Sequence, residues 1–336
     1  MTQGKGLAAA QLERLWADLW TSGCTIVAIA AFLFSIGTLC VKALEPAVPA
    51  FEVAFVPSAV CWALTHALAR KSGLPLLADD ARTHRLTLLR AGLGAASLIL
   101  YYCSLAELPM NDAVTLFFCS PVISAALELA ILGNSLTPGT LAGCVFTLLG
   151  VVLVMRSECL EHLMHPPSPG YILGSALALA AATCNAAAFL VVRLLSGRQS
   201  AVVITWWYCL VVTLAALVPL LAAYPSPPLA PTRPQAALLA CICAMQFSGQ
   251  LLLNRGFQLV TPTRGSAINV LQVLFAYVWA VTVLHESFNW VSVAGGGCVA
   301  LGVVCVALLG ASPAPAAPSA LREQLHSSSS SSCGEA

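Results

Sequence analysis

Ten long apolar runs occupy most of this chain of 336 residues. Each run is about 20 residues long, which is the length an α-helix needs to cross the hydrocarbon core of a bilayer. Only 9% of the residues are charged, against about 25% in soluble globular domains. The runs therefore predict an all-α integral membrane fold with ten transmembrane helices. They cover residues 22–41, 48–69, 86–104, 113–132, 138–155, 171–194, 201–222, 235–253, 265–284 and 290–309.

Basic residues predict the orientation of these spans. With the N-terminus in the cytosol, Lys42, Arg156 and Arg233 fall on the non-cytosolic side and all other Lys and Arg on the cytosolic side. This bias follows the positive-inside rule, so both termini of a multi-pass protein are expected in the cytosol. Residues 1–21 have an amphipathic pattern, either of a helix lying on the cytosolic leaflet or of an extension of the first span. The Ser- and Pro-rich residues 310–336 predict a disordered cytosolic tail.

A shift of 152 residues aligns two parts of the chain with each other. Residues 141–143 fall on residues 293–295, and the turn at Pro109 falls within one residue of the turn at Pro262. Each half contains five spans, an odd number, so equivalent helices would cross the membrane in opposite directions. Inverted repeats of this kind are common in secondary transporters, which bind substrate near the midplane between the halves. The predicted units are two inverted five-helix repeats over 22–155 and 171–309, joined by a non-cytosolic connector over 156–170.

Several motifs resemble those of EamA-type members of the drug/metabolite transporter superfamily. They are Arg90-Ala-Gly-Leu-Gly, Tyr101-Tyr102, Asp112-Ala113, Ser120-Pro121-Val122, Trp206-Trp207-Tyr208 and Gly249-Gln250. Within the superfamily the chain is most similar to the solute carrier 35 group G branch, over about residues 25–309. The resemblance implies ten helices, cytosolic termini and transport of a small organic solute. The chain departs from the branch at Pro57, where an Arg commonly follows an acidic residue, here Glu52, by five positions.

Four charged residues are candidates for gating or coupling: Arg90, Glu128, Glu52 and Lys42. A charge inside the bilayer costs about 2.5–3.5 kcal/mol on insertion scales and usually faces a partner or a cavity. Arg90 and Glu128 have matching depths near the cytosolic ends of spans three and four. We expect Arg90 to hold an anionic substrate group or to close a gate through Glu128. The alternative is a structural ion pair, or snorkelling to the interface.

Glu52 lies near the non-cytosolic end of span two, at the depth of Lys42. Its carboxylate is a candidate proton carrier, because partial dehydration raises the pKa of an acid. The alternative is a salt bridge with Lys42 at the rim of the protein.

Amide side chains mark the candidate substrate site. They recur every four residues along span eight and three residues apart on span nine, so each set shares one helix face. We expect them to line a cavity near the midplane, with Gln250 and Gln272 most central, or alternatively to form hydrogen bonds between helices. The amides are Gln246, Gln250, Asn254, Gln258, Asn269 and Gln272, and the further candidate lining residues are Asn185, Ser120, Trp207 and Tyr208.

Pro121 in the middle of span four predicts a kink, because proline cannot donate to the carbonyl four residues before it. In spans five and ten, small residues recur at every fourth position, which predicts close contacts between helices. These surfaces serve either as internal scaffold or as a homodimer interface. The small residues are Gly139 and Gly143 of span five and Ala294, Cys298 and Gly302 of span ten.

The sequence contains no nucleotide-binding P-loop, no catalytic cluster and no metal-ligand spacing. It predicts no enzyme activity, no cofactor, no metal and, with a net charge of +1, no nucleic-acid partner. We expect a secondary transporter of small metabolites that works by alternating access, with a small-molecule substrate and membrane lipid as partners. Three alternatives remain: a nucleotide-sugar or phosphorylated-sugar exchanger, an integral-membrane acyltransferase-like enzyme, and a non-transporting scaffold.

Overall fold

A computed structural model describes most of the chain between residues 22 and 309. The described ranges are 22–44, 48, 50–78, 80–108, 110–133, 137–155, 169–222, 231–285 and 290–309. Within them the regular structure is entirely helical, which confirms the predicted all-α class. The amphipathic segment within 1–21 and the tail over 310–336 lie outside the described residues.

The helices follow the predicted spans, with the fourth and ninth each divided in two. They are α1 (Gly23–Leu44), α2 (Ala50–Lys71), α3 (Ala81–Glu107), α4a (Met110–Phe117), α4b (Ser120–Leu127), α5 (Pro138–Met155), α6 (Pro169–Leu194), α7 (Ala201–Leu221), α8 (Arg233–Leu259), α9a (Pro262–Asn269), α9b (Leu271–Thr282) and α10 (Trp290–Leu309). A π-helical turn, Glu128–Leu132, extends α4b.

Length and composition agree with a multi-pass membrane protein. Eight of the described helical segments are long and apolar enough to cross a membrane, with α4 and α9 each counted as one segment. The other two, α5 and α10, contain shorter apolar stretches, Pro138–Leu153 and Val293–Val306. Together they give ten apolar helical segments at the positions of the ten predicted spans.

Two helices extend beyond their apolar runs. α3 begins at Ala81 because Asp80 caps it, accepting hydrogen bonds from the backbone N–H groups of Arg82 and Thr83 at 3.1 and 3.2 Å. These bonds, that from Arg82 first, lower the pKa of the Asp80 carboxyl. α8 continues to Leu259, because the polar residues of its last turns are buried in the protein and still support a helix.

Both interrupted helices break at equivalent positions. α4a ends at Phe117 and α9a ends at Asn269, which are 152 residues apart, as in the alignment of the two halves. The kink predicted at Pro121 is a break just before it, since proline is well accommodated in the first turn of a new helix. The break in α9, at Val270, has no proline.

The most extensive helix packing joins the two halves of the chain. It pairs α5 with α10, α3 with α6, α1 with α8, and α2 with α7. Exchanging the halves maps the α3–α6 pair onto the α8–α1 pair and each of the other two pairs onto itself. The two sets of five helices are therefore interleaved, and neither packs as a unit by itself.

Glycines bring α5 and α10 into backbone contact. A Cβ on Gly150 would lie 2.5 Å from the backbone nitrogen of Val299, and one on Gly302 would lie 2.7 Å from that of Thr147. The 152-residue shift relates Gly150 to Gly302 and Thr147 to Val299. The same glycine contact is therefore made twice in the crossing, once by a glycine of each half.

The small-residue faces of spans five and ten pack against each other within the chain, and a homodimer through these spans stays a prediction. At Gly139, Gly143 and Gly302 these faces contact the other helix of the same chain. The outer face of α5 instead exposes large apolar side chains such as Leu141 and Val145, which suits contact with lipid.

An apolar cluster lies at the ends of α6 and α8. The rings of Phe189 and Phe257 stack with centroids 3.9 Å apart, and Val27, Ile204 and Ile268 belong to the same buried cluster. These residues come from α1, α6, α7, α8 and α9a, so the cluster fixes the positions of the polar side chains beside it.

Candidate functional site

Arg90 of α3 is buried among neutral groups. The side chain is 3% exposed, its guanidinium lies 4.8 Å from the ring centroid of Tyr208 on α7, and Nη2 donates to Oδ1 of Asn254 on α8 at 3.3 Å. A Cβ on Gly94, one turn further along α3, would contact Nη1. The side chain therefore extends into the helix bundle, and the alternative of snorkelling to the interface is wrong.

The guanidinium of Arg90 is only partly satisfied. Its Nε and Nη1 have no hydrogen-bond partner among the described residues, and no carboxylate of those residues is among its contacts. Asn254 in turn donates from Nδ2 to Oγ1 of Thr205 on α7 at 2.9 Å. Helices α3, α7 and α8 are thus linked through one amide.

Glu128, just after α4b, binds the start of α9a. It is 3% exposed, and its Oε2 accepts hydrogen bonds from the backbone N–H and the hydroxyl of Thr263 at 3.1 and 2.7 Å. A carboxylate is favourable here, because a helix N-terminus carries a partial positive charge.

The predicted Arg90–Glu128 pair is therefore not formed in this structure. Arg90 bonds to Asn254 and Glu128 bonds to Thr263. Helix α3 packs mainly against α6 and α7, which turns Arg90 toward the second half of the chain.

A second contact joins the same two broken helices. The hydroxyl oxygens of Ser124 on α4b and Ser266 on α9a lie 2.8 Å apart, and both residues are buried. Away from this end, α4a packs against α6, and α9b packs against α1. Helices α4 and α9 thus meet through α4b and α9a, at the end that the predicted orientation places toward the cytosol.

The amide residues of α8 differ in how much hydrogen bonding they have. Gln258, 4% exposed, donates to the backbone carbonyl of Gln199 at 2.8 Å, and Asn254 has the two bonds described above. Gln250, one turn deeper, is 7% exposed, and its Oε1 has no hydrogen-bond partner among the described residues. Gln246 is half-buried. Near the C-terminal end of α8, Asn254 and Gln258 therefore form hydrogen bonds between helices, as in the alternative prediction. Gln250, in contrast, has an acceptor oxygen that is not used by the described residues.

The remaining lining candidates lie in two settings. Ser120 and Asn269 are buried at the two helix breaks, and Oδ1 of Asn269 has no hydrogen-bond partner within the described ranges. Asn185 of α6 and Gln272 of α9b are half-buried. The breaks are surrounded by apolar side chains: Val114, Phe118, Val151, Val270, Val273 and Val299.

An apolar crevice is present elsewhere, between α2, α3 and α7. Its lining includes Phe51, Ala95, Tyr102 and Val212. None of the predicted lining amides belongs to it.

The aromatic candidates on α7 have different environments. Tyr208 is 8% exposed and lies under Arg90. Trp207 donates from Nε1 to the carbonyl of Leu76, before α3, at 2.9 Å, and its ring contacts those of His84 and Trp206. Trp207 therefore anchors a connection between helices, and its polar atom is not available to a solute.

Glu52 and Lys42 lie at the other end of the molecule. Glu52 is 6% exposed in the first turn of α2, and Lys42 is exposed in the last turn of α1. The helix ends therefore carry these two charges as the sequence indicates. The proton-carrier role of Glu52 stays a prediction.

Sequence reasoning missed the partners of the charged residues. Thr263 follows Pro262 at the start of a helix, and a helix start is a signal for a carboxylate partner. Thr205 gave no such signal. Asp112, fully buried in α4a, accepts a hydrogen bond from the hydroxyl of Tyr171 at 3.1 Å. Among the described residues no group of three His, Cys, Asp or Glu is placed to hold a metal ion.

Two known proteins are similar to this chain over most of its length. It is 25% identical over 291 residues to "Pseudopaline exporter CntI" of Pseudomonas aeruginosa (strain UCBPP-PA14), with 87% of this chain and 97% of that protein covered. It is also 25% identical over 289 residues to "Solute carrier family 35 member G1" of Homo sapiens, with 83% and 77% covered.

The fold matches a known crystal structure at 16% sequence identity. The TM-score is 0.74, and the match covers 86% of this chain and 98% of that chain. The model of the EamA-like transporter family matches the chain twice, at residues 21–156 and at residues 172–308. These two matches cover the described helices except for residues 169–171 of α6 and Leu309 of α10. The chain that carries Arg90, Glu128 and the two broken helices therefore belongs to the EamA-like transporter family.

Proposed function

We propose that this membrane transporter of small molecules is a secondary transporter of organic metabolites that works by alternating access. The two inverted repeats of the proposal are residues 22–155 and 171–309. The observation that carries it is the pair of helix breaks, at residues 118–119 and at residue 270, in equivalent positions of α4 and α9. Discontinuous helices in corresponding positions of two halves are typical of transporter substrate sites.

The symmetric helix packing supports the inverted arrangement. Each principal helix pair has its counterpart when the halves are exchanged, and the glycine crossing of α5 and α10 has the same symmetry. A non-transporting scaffold has no need of two broken helices or of a partnerless amide acceptor such as Oε1 of Gln250.

In this proposal the α4b–α9a contact is the cytosolic gate. The gate consists of Glu128 with Thr263 and of Ser124 with Ser266. Its opening separates the two half-helices by bending at the breaks. The α5–α10 crossing stays fixed, because its backbones are already in contact.

A reversible cross-link tests this gate. The protein is reconstituted into liposomes loaded with a metabolite extract, and released metabolites are identified by mass spectrometry. In the double variant Ser124→Cys/Ser266→Cys, oxidation should cut release at least tenfold and a reducing agent should restore it. The two hydroxyl oxygens are 2.8 Å apart, so the introduced thiols are well placed to react.

The single variants Ser124→Cys and Ser266→Cys, oxidised in the same way, control for the native cysteines and should keep wild-type release. Peptide mapping confirms the cross-link. Wild-type release from the cross-linked protein would contradict the gate. If liposomes with the wild-type protein release no more metabolite than loaded liposomes without protein, the transport function is contradicted.

A further inference from the structure

We propose that the guanidinium of Arg90 binds the carboxylate of a small monoanionic solute, an inference that rests on the proposed transport function. Arg90 is the only basic residue among the buried residues of the described ranges. Its neighbours Tyr208 and Asn254 are neutral. A buried cation without an opposite charge is strongly unfavourable, so this arrangement favours an anion supplied from outside.

The buried acids of the described part of the chain do not supply that anion. Glu128 accepts hydrogen bonds from Thr263, and Asp112 accepts one from Tyr171. Glu52 lies in the first turn of α2, at the opposite end of that helix from the cytosol. The described residues of the second half, 169–222, 231–285 and 290–309, contain no Asp or Glu.

Free hydrogen-bonding capacity lies beside the charge. Nε and Nη1 of Arg90 are buried and have no hydrogen-bond partner in the described part of the chain, and Gly94 leaves the space into which the guanidinium extends. Gln250 lies one turn deeper than Asn254 on the same face of α8, and its Oε1 is also buried without a partner. Arg90 thus provides donors for a carboxylate, and Gln250 provides an acceptor for a hydroxyl or amine of the same solute.

The charge balance favours a carboxylate over a phosphate ester. A phosphate monoester carries a charge of about −1.5 to −2 at pH 7, and sites for it usually contain several basic groups. One guanidinium balances one carboxylate. A phosphate solute, which the nucleotide-sugar and phosphorylated-sugar alternatives require, is therefore the competing outcome of the test.

Thermal unfolding of the purified full-length protein measures this recognition directly. The probes are propionate, benzoate and N-acetylglycine, each compared with its uncharged amide, and methyl phosphate, all at 20 mM. The carboxylates should raise the Tm by at least 2 °C and the amides should not. Arg90→Gln should abolish the difference, whereas Arg85→Gln, which removes an exposed arginine of the same helix, should preserve it.

Asn254→Asp keeps the test decisive if Arg90→Gln does not fold. This variant places a carboxylate beside Arg90 within the chain, so it should have a higher Tm than the wild type and no response to added carboxylate. A wild-type Tm that responds no more to carboxylates than to amides would overturn the proposal. A wild-type response retained in Asn254→Asp, or a larger response to methyl phosphate than to carboxylates, would also overturn it.

Release from liposomes separates this inference from the proposed function. Transport of uncharged metabolites, with carboxylates excluded, would leave the transport function in place and remove the role of Arg90. A carboxylate-dependent Tm shift that requires Arg90, without release of any metabolite, would remove the transport function and leave the anion site.

Discussion

Glu128 and Thr263, which are 135 residues apart in the chain, are joined by two buried hydrogen bonds of 3.1 and 2.7 Å. The pairing links the end of α4b to the first turn of α9a. Arg90 has a separate set of partners. The two charged residues that sequence reasoning pairs with each other therefore act at different contacts between the halves.

Double-mutant cycles distinguish these contacts. We expect Glu128→Ala and Thr263→Val to be coupled by about 1–2 kcal/mol in unfolding free energy, because each removes one partner of the buried hydrogen bond from the Thr263 hydroxyl to Glu128. Glu128→Ala and Arg90→Ala should be additive within about 0.5 kcal/mol. Unfolding of the reconstituted variants in denaturant measures both cycles. Strong coupling of Arg90 with Glu128 would restore the ion pair that this structure lacks.

Gly302→Ala should prevent stable folding of the α5–α10 crossing. The added methyl would lie 2.7 Å from the carbonyl oxygen of Gly143 and from the backbone nitrogen of Thr147, and backbone atoms cannot move aside as a flexible side chain does. Gly297→Ala on the same helix is the matched control, since a Cβ there meets no atom within 4 Å. We expect a monodisperse peak in size-exclusion chromatography only for the control.

Gln250→Leu should abolish solute release without reducing stability. Oε1 of Gln250 is buried without a partner, so leucine removes an unsatisfied polar atom and breaks no observed bond to that atom. The Tm and the release assay on the same preparation test the two halves of the prediction. A fall in Tm of several degrees would assign Gln250 to hydrogen bonding between helices, and unchanged release would remove it from the solute path. Gln272→Leu should likewise abolish release.

Trp207→Phe should destabilise the protein by about 1 kcal/mol and leave release unchanged. It removes the hydrogen bond to the carbonyl of Leu76 and keeps an aromatic ring. Trp206→Phe is the control, because Nε1 of Trp206 has no hydrogen-bond partner among the residues that the structure describes, so its loss should cost less. A Trp207→Phe protein of wild-type stability that fails to release solute would return Trp207 to the binding site.

Because Asp80 caps α3, the stability of the protein should fall at acidic pH. Hydrogen bonds from Arg82 and Thr83 lower the pKa of Asp80 in the folded protein, so the stabilisation is present above the unfolded-state pKa and is lost as the pH falls through the folded-state value. Asn caps helices well but does not titrate. As the pH is lowered below about 5, the Tm of Asp80→Asn should therefore fall less than the Tm of the wild type. Equal falls would assign the loss to other carboxyl groups.

The sequence predicts the helices well because an apolar run of about 20 residues has few alternatives to a membrane-spanning helix. It predicts their ends less well, because Asp80 and Gln258 support helix in polar sequence that an apolar pattern does not include. The α4 break has a local signal in Pro121. The break at Val270 has none, and only its equivalence to the α4 break indicates it.

The neighbours of each helix could not be predicted from one sequence. Periodicity gives the depth and the face of a side chain, but it does not say which helix lies opposite. Asn254 was identified as one member of an amide stripe, yet nothing in its spacing connects it with Arg90, 164 residues earlier. The same limit applies to α5 and α10, whose glycine faces contact each other.

The interleaved packing has a consequence for how the protein is made. Among the described helices α10 is the last to leave the ribosome, so the glycine face of α5 has no contact with it while residues 156–289 are synthesised. At usual elongation rates of about 5–20 residues per second this takes about 7–27 s. During that interval the first five helices lie in the lipid without the helices that pack against them in the finished protein. An insertion factor that covers exposed helix faces would therefore bind the unfinished chain.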